Sequence, residues 1–174
     1  MPRDIPKALQ DKLAAKKVFV ADLLEFHFST ALYFTTTNIN LSFDSPTAPD
    51  SGANTYIAQG LFLNYKDIVE NSDLRVGTLD LSFTAVDPTM IAVLLNNDFI
   101  DKRVVLYRAV LQDDYSFTSD DVFTIFDGRI SGWRITESKN SASVALSVAS
   151  FFADFNRTNG LSLIHISEPT RPLY

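Results

Sequence analysis

The chain has 174 residues, a formal net charge of −6, 46% hydrophobic residues and 21% charged residues. This composition is typical of a folded domain of ordinary size and excludes an intrinsically disordered chain. The acidic balance, with Lys and Arg scattered along the sequence, argues against binding to nucleic acid or to an anionic membrane. Cysteine is absent, which excludes disulfides and thiolate metal sites.

The N-terminal stretch DIPKALQDKLAAKK predicts a short amphipathic helix over residues 4–16. Ile5, Leu9 and Leu13 recur every four residues, and Asp4 is placed to cap the helix. A frayed terminus is the alternative. The segment is too polar for a signal peptide, and no apolar run reaches the roughly 18 residues that span a bilayer. We therefore expect no membrane insertion.

From residue 17 onward the apolar pattern changes to a period of two. Leu79, Leu81 and Phe83 alternate with Asp80 and Ser82, which predicts a strand with one buried face. Other strands are predicted in VFVADLLEFHF, in ALYFTTTNINLSF (two strands about a turn at Asn38), and in TYIAQGLFLNY, KRVVLYRAVLQ, DVFTIFDGRISGWRIT and SASVALSVASFF. The stretch DSPTAPDSGAN is predicted to be a loop.

A second short helix is predicted over residues 87–96, with Asp87 as N-cap and Pro88 in its first turn. About eight strands, mostly joined to their sequence neighbours, indicate a mainly β fold, an antiparallel β-barrel or sandwich with two short helices. Residues 17–160 are expected to form a single β domain behind the N-terminal helix or arm of residues 1–16.

The closing peptide, residues 161–174, differs in composition from the preceding sequence. Reverse translation of LSLIHISEPTR yields a string that resembles the transposase adapter of tagmentation sequencing libraries. A natural proline-containing tail is the alternative. We expect this peptide to be an adapter-derived artefact, the β domain to be truncated at its C-terminal end, and His165 and Glu168 to carry no functional weight.

The remaining sequence does not contain a set of residues suited to catalysis. Its one histidine, His27, lies between phenylalanines in a predicted strand, which is typical of a packing or surface residue. A His/Cys metal site or Cys–His dyad would need partners that are missing, and no G-x-S-x-G motif accompanies His27 for a serine triad. No pair of carboxylates stands out as a glycosidase pair. We expect no cofactor, no metal and no enzymatic activity.

The acidic stretch DDYSFTSDD connects two predicted strands. Its spacing lacks the alternating ligands and the glycine of an EF-hand, so a solvated hairpin tip is favoured over a cation site. Trp133 and Arg134 are predicted to form an exposed contact, with a core tryptophan as the alternative. Together these segments supply the candidate protein contacts: Asp113, Asp114, Tyr115, Phe117, Asp120, Asp121, Trp133 and Arg134.

The order of these elements resembles a family of tailed-phage tail-tip and baseplate-hub proteins, similar to the minor tail protein L of lambda-like phages and its uncharacterised relatives. The resemblance covers residues 17–160. It depends chiefly on the strand–helix–strand unit VGTLDLSFTAVDPTMIAVLLNNDFIDKRVVLY, and on FDGRISGWRI, interpreted as a strand pair entered through Gly128.

The resemblance implies a virion structural protein of the tail, assembled in the host cytoplasm as a homo-oligomeric ring with tube, hub and tip proteins as partners. An iron–sulfur cluster known in some members is not implied, since this sequence has no cysteine. The alternatives are a tail-associated carbohydrate-processing enzyme, which needs a carboxylate pair in an aromatic cleft, and a glycan-binding β-sandwich.

Overall fold

The computed structural model describes residue 10, residue 14 and residues 18–58, 62–65, 77–84, 100–137 and 142–151. Within these residues the fold is mainly β, as predicted. The nine strands are β1 Phe19–Phe26, β2 Leu32–Thr35, β3 Leu41–Phe43, β4 Asn54–Tyr56, β5 Phe62–Tyr65, β6 Thr78–Thr84, β7 Arg103–Leu111, β8 Val122–Glu137 and β9 Ala142–Ser150.

Seven strands form one antiparallel sheet in the order β2-β1-β7-β8-β9-β6-β5. The other two, β3 and β4, form a separate hairpin. The prediction of two short strands on either side of Asn38 is therefore confirmed, but β2 pairs with β1 whereas β3 pairs with β4.

One face of the large sheet encloses an apolar cluster, here called the inner core. The alternation predicted in β6 is confirmed, since Leu79, Leu81 and Phe83 are all buried there. The remaining members come from both halves of the sheet: Leu24, Phe26, Phe28, Phe34, Val104, Leu106, Phe126, Ile130, Val144, Leu146 and Val148.

The sheet curls around this inner core. Phe34 on β2 and Phe83 on β6 lie near opposite ends of the strand order, yet their ring centroids are 6.3 Å apart. At one end of the core, Tyr65 on β5 donates a hydrogen bond to Asp22 on β1 at 2.9 Å. Within the described residues the edge strands β2 and β5 do not pair, so the sheet is curved and open and does not close as a barrel.

The opposite face of β1 and β7 is covered by the β3–β4 hairpin, which creates a second cluster, here called the outer core. Leu41, Phe43 and Tyr56 of the hairpin pack there against Leu23 and Val105. The remaining buried members are Ala21, Tyr107, Ala109 and Leu111. Because β1 and β7 have apolar clusters on both faces, buried apolar residues occur at consecutive positions, as in Leu23–Leu24 and Val104–Leu106.

Strand β8 joins the two halves of the sheet. Its residues 122–129 pair with β7 and its residues 128–137 pair with β9. The interpretation of FDGRISGWRI as a strand pair was therefore wrong, because this stretch lies within one continuous strand of 16 residues. The register shifts between Ile130 and Gly132, a bulge that increases local twist without ending the strand.

The two predicted helices fall largely outside the described residues. Within the span 4–16, the amide of Ala14 donates to the carbonyl of Gln10 at 3.0 Å, the i to i−4 spacing of an α-helix. The helix predicted over 87–96 and the closing peptide 161–174 lie entirely outside them. Among the residues described, no helix is both long and apolar enough to cross a membrane.

Candidate functional site

The acidic segment is an ordered connection between β7 and β8. The amide of Gln112 donates to the carbonyl of Ser116 at 2.9 Å, and Tyr115 adopts a left-handed conformation with φ 63°. The Asp114 carboxylate accepts hydrogen bonds from the amide and the hydroxyl of Ser116, at 3.0 and 2.6 Å. These hydrogen bonds lower the pKa of Asp114. Local turn chemistry therefore sets the shape of this connection.

Two of the predicted contact residues in this segment point inward. Phe117 is half-buried against the outer core, with its ring centroid 6.0 Å from that of Phe43. Asp121 is buried and ends a single 3-10 turn, Ser119–Asp121, where its carboxylate accepts hydrogen bonds from the Thr118 amide and hydroxyl at 3.1 and 2.9 Å. Both side chains therefore stabilise the connection itself.

The other predicted contacts in the segment are on the surface. Asp113, Asp114 and Asp120 are exposed, and Tyr115 is 47% exposed with its ring centroid 6.1 Å from that of Phe19. We call these four residues the acidic patch. An open groove of about 390 Å³ lies beside it, lined by Phe43, Asp44, Pro46, Tyr107, Ser119, Val122 and Thr124.

Trp133 and Arg134 lie on the second half of β8. Trp133 is 47% exposed and Arg134 is also exposed. Trp133 is opposite Leu146 in the ladder with β9. Val122, next to the acidic segment, is eleven residues away, a contour length on the order of 35 Å along a strand. The predicted contacts therefore form two separate patches near opposite ends of β8. In the second patch, Trp133 lies on the inner-core side of the sheet with Leu146, and Arg134 lies on the opposite side.

A buried polar network between β1 and the hairpin was not anticipated from the sequence. The Glu25 side chain is fully buried. Its Oε1 accepts a hydrogen bond from the Tyr56 hydroxyl, and its Oε2 accepts one from the Thr47 hydroxyl at 3.0 Å. His27 Nε2 lies 3.1 Å from the same Oε2. A buried carboxylate must be paired with hydrogen-bond donors or a cation, because an isolated buried charge destabilises the folded state by several kcal/mol or more.

The network extends to β7 through Tyr107. Its hydroxyl contacts Thr47 Oγ1 and accepts a hydrogen bond from Ser45 at 3.1 Å. Ser45 and Thr47 both belong to the loop that joins β3 and β4, so this loop is anchored to the sheet by polar contacts at two residues. The sequence signal for the site is the position of Glu25 itself, a charged residue two positions after Leu23 and on the same face of β1.

Opposing effects act on the Glu25 carboxyl. Burial raises its pKa, but the hydrogen bonds with His27, Tyr56, Ser45 and Thr47 outweigh burial and leave the pKa below its usual value. Burial, together with the neighbouring carboxylate, raises the pKa of Tyr56 far above the ordinary range. Glu25 is thus held ionised and Tyr56 neutral, a pair of states that favours the hydrogen bond between them.

A second cluster closes one end of the inner core. Arg108 Nε donates to Asp22 Oδ1 at 2.8 Å, and the guanidinium also contacts the Tyr65 hydroxyl. Burial is the main cause that raises the pKa of Tyr65 to about 12, and Asp22 adds to it. The side chains of Asp22, Tyr65 and Arg108 hydrogen-bond to one another, and these bonds connect β5 to β1 and β7.

The two described clusters connect strands through hydrogen bonds and ion pairs. His27 contacts a carboxylate that is inaccessible to solvent, and its own side chain is 13% exposed. In the described part of the chain, no group of three or more His, Asp or Glu side chains is arranged to hold a metal ion.

No protein-family model and no curated protein match this chain in sequence. The structure is similar to a chain of the virion of a native gene transfer agent particle, with a TM-score of 0.57 and 14% sequence identity. The likeness covers 97% of this chain and 49% of that chain, so this protein spans about half the length of its structural neighbour. At this identity the comparison shows a shared fold.

Proposed function

We propose that this chain is a structural component of a phage-like virion, located in the tail tip or baseplate hub and acting through protein–protein contacts. The observation that carries the proposal is the fold likeness to a chain of a gene transfer agent virion, which extends over 97% of this chain. Assembly would take place in the host cytoplasm, with tube, hub and tip proteins as partners.

The organisation of the core supports one structural unit. Side chains from β1, β2, β5, β6, β7, β8 and β9 meet in the inner core, and the β3–β4 hairpin packs on the outer core, which supports a single domain over residues 17–160. The described polar clusters at Glu25 and at Asp22–Arg108 connect strands to one another and are satisfied internally. Their arrangement supports a scaffold whose interactions with partners use its surface.

The two exposed patches suggest how copies associate in a ring. The acidic patch carries three exposed carboxylates and Tyr115, whereas the second patch has the exposed cation of Arg134 on one face of β8 and the exposed ring of Trp133 on the other. The patches differ in charge and lie near opposite ends of β8, so contact between them joins copies head to tail. A head-to-tail interface closes into a ring when the rotation between copies allows it.

Mass photometry of the full chain over a concentration series, with negative-stain imaging, tests the ring. We expect closed oligomers, and we expect Trp133→Ala to weaken association by about 30-fold or more, the effect of losing an aromatic hot spot. Ile39→Ala is the matched control, because Ile39 is 37% exposed and lies outside both patches. A chain that stays monomeric at every concentration would overturn the ring.

Charge exchange tests the pairing of the patches. Arg134→Glu should weaken association, and the added change Asp120→Lys should restore part of it, because attraction between the patches is then re-established with reversed signs. Mass spectrometry of particles from the virus or cell that encodes the chain tests the virion role separately. Absence of the chain from purified particles would contradict that role, and glycan binding by a monomer would favour the alternative sandwich.

A further inference from the structure

We propose that the β3–β4 hairpin is a strap that acid releases: the ionised Glu25 carboxylate holds it on β1 and β7, and protonation of that carboxylate lets it detach while the seven-stranded sheet stays folded. The inference is independent of the proposed virion role. It follows from the way the hairpin is attached.

The hairpin has little stability of its own. Strands β3 and β4 are three residues each and pair only with one another, apart from the bridge between Phe34 on β2 and Ile57, just after β4. An isolated two-stranded hairpin is marginal in water. Attachment therefore depends on what the hairpin contacts beneath it.

Glu25 is the central polar anchor of this attachment. Its carboxylate accepts hydrogen bonds from Tyr56 on β4 and from Thr47 in the loop, so two of the three side chains that contact it belong to the hairpin; the third is His27. The apolar part of the contact consists of Leu41, Phe43 and Tyr56 in the outer core. Detachment would uncover that apolar surface and leave the inner core intact, since no hairpin side chain belongs to the inner core.

Protonation weakens this anchor because an ionised carboxylate only accepts hydrogen bonds, and Tyr56 and Thr47 both donate to it. The neutral acid is a weaker acceptor and adds a proton that needs an acceptor in a space already filled with donors. With the pKa of Glu25 lowered in the folded state, attachment is strongest above the unfolded value of about 4.3 and is lost as the pH falls through the folded value.

The surrounding ionisable groups oppose release until the solution is distinctly acid. Arg103 on β7 favours the ionised form of Glu25 and is itself paired with Asp127 on β8 at 2.7 Å. The contact with His27, whose Nε2 lies 3.1 Å from the carboxylate, acts in the same direction. The other ionisable groups facing the site are Tyr33 on β2 with its partner Asp50 in the loop, Tyr56 on β4 and Tyr107 on β7.

Hydrogen–deuterium exchange with mass spectrometry on the full chain, from about pH 7 to about pH 3, tests the strap, with labelling times scaled for the intrinsic pH dependence of exchange. We expect peptides from residues 41–57 to lose protection at a higher pH than peptides from residues 142–150. As the pH falls from the unfolded pKa of about 4.3 towards the lower folded pKa, the ratio of open to closed hairpin should rise about tenfold per pH unit. Loss of protection in both regions at the same pH would overturn the proposal.

Variants identify the responsible carboxylate. Tyr56→Phe removes one donor to Glu25 while keeping the ring, so the midpoint of hairpin opening should shift to higher pH. Tyr65→Phe is the control, because the Tyr65 hydroxyl contacts Asp22 and Arg108, and this variant should leave the midpoint unchanged. Glu25→Gln should give rapid hairpin exchange that no longer depends on this titration. An unshifted midpoint in Tyr56→Phe, or loss of the acid response in Asp50→Asn, would refute the role of Glu25.

Discussion

Gly128 lies where β8 passes from β7 to β9, and the structure predicts that this position cannot carry a side chain. A Cβ built on Gly128 would lie 2.2 Å from the carbonyl oxygen of Ala149 on β9 and 2.8 Å from the Phe126 ring. Contacts of a real Cβ below 3.0 Å essentially do not occur, so β8 and β9 would have to separate locally by about 0.8 Å. The nearest atom is the backbone carbonyl oxygen of Ala149, which cannot rotate away as the end of a flexible side chain would.

The Gly128→Ala substitution should therefore destabilise the fold at the upper end of the overpacking range, by about 3 kcal/mol. For a chain of this size that corresponds to a fall in Tm of about 6–12 °C. Gly128 does not have a positive φ, so alanine can adopt its backbone conformation and the contact is the main source of strain. Urea denaturation, followed by far-ultraviolet circular dichroism, measures the change in the free energy of unfolding.

Gly132 is the matched control on the same strand. A Cβ there meets no heavy atom within 4 Å, and its φ is also not positive. Both alanine variants reduce the entropy of the unfolded chain by similar amounts, about 0.4–1 kcal/mol, so their difference isolates the contact. If the two variants have equal free energies of unfolding within about 0.5 kcal/mol, the close approach of β8 and β9 at Gly128 is refuted.

Three further predictions concern the core, the tyrosines and the β7–β8 connection. Leu81→Ala should lower the free energy of unfolding by about 2–5 kcal/mol, because Leu81 is fully buried in the inner core; a loss below about 1 kcal/mol in urea denaturation would contradict this. Burial, with contributions from nearby carboxylates, raises the pKa of Tyr33 and of Tyr65 to about 12. The free energy of unfolding should therefore fall as the pH rises from about 10 towards about 12, and ultraviolet titration should show that Tyr33 and Tyr65 ionise at a higher pH than ordinary tyrosines. Asp121→Ala should cost about 1–2 kcal/mol, because the buried carboxylate accepts two hydrogen bonds from its own turn, whereas the exposed Asp120→Ala should be nearly neutral; equal thermal shifts would argue against that role.

Much of the strand structure could be predicted because alternation along a strand is a local property. The pattern in β6 places Leu79, Leu81 and Phe83 on one face, and all three are buried. The same alternation in β9 places Val144, Leu146 and Val148 on one face, and all three are buried in the inner core. In each case the apolar residues point to a single core, so period two alone identifies the buried face.

Prediction was incomplete where both faces of a strand are covered. In β1, Leu23 belongs to the outer core and Leu24 to the inner core, so the sequence shows no alternation. The β3–β4 hairpin covers the second face of β1, and because the hairpin is distant in sequence, the local pattern of β1 does not reveal this contact. Glu25 was missed for the same reason, because its partners Tyr56 and Thr47 are 31 and 22 residues away.

The candidate contacts show the same division between local and long-range information. The sequence predicted an acidic connection between two strands, and turn chemistry at Asp114 and Ser116 accounts for its shape. It did not distinguish the inward-facing Phe117 and Asp121 from their exposed neighbours. Burial of Phe117 depends on Phe43, 74 positions earlier in the chain, with a ring centroid 6.0 Å away.

The sequence by itself determined a mainly β chain, most of its strands and the apolar face of those with a single buried side, because these features follow from the alternation of side chains along an extended backbone. Only the tertiary structure decided that β8 is one strand shared by two half-sheets, that the sheet curls without closing, and that the β3–β4 hairpin lies on the outer face over a buried carboxylate. These features arise from pairings between residues far apart in sequence, whose energies depend on surfaces that exist only after the chain has folded.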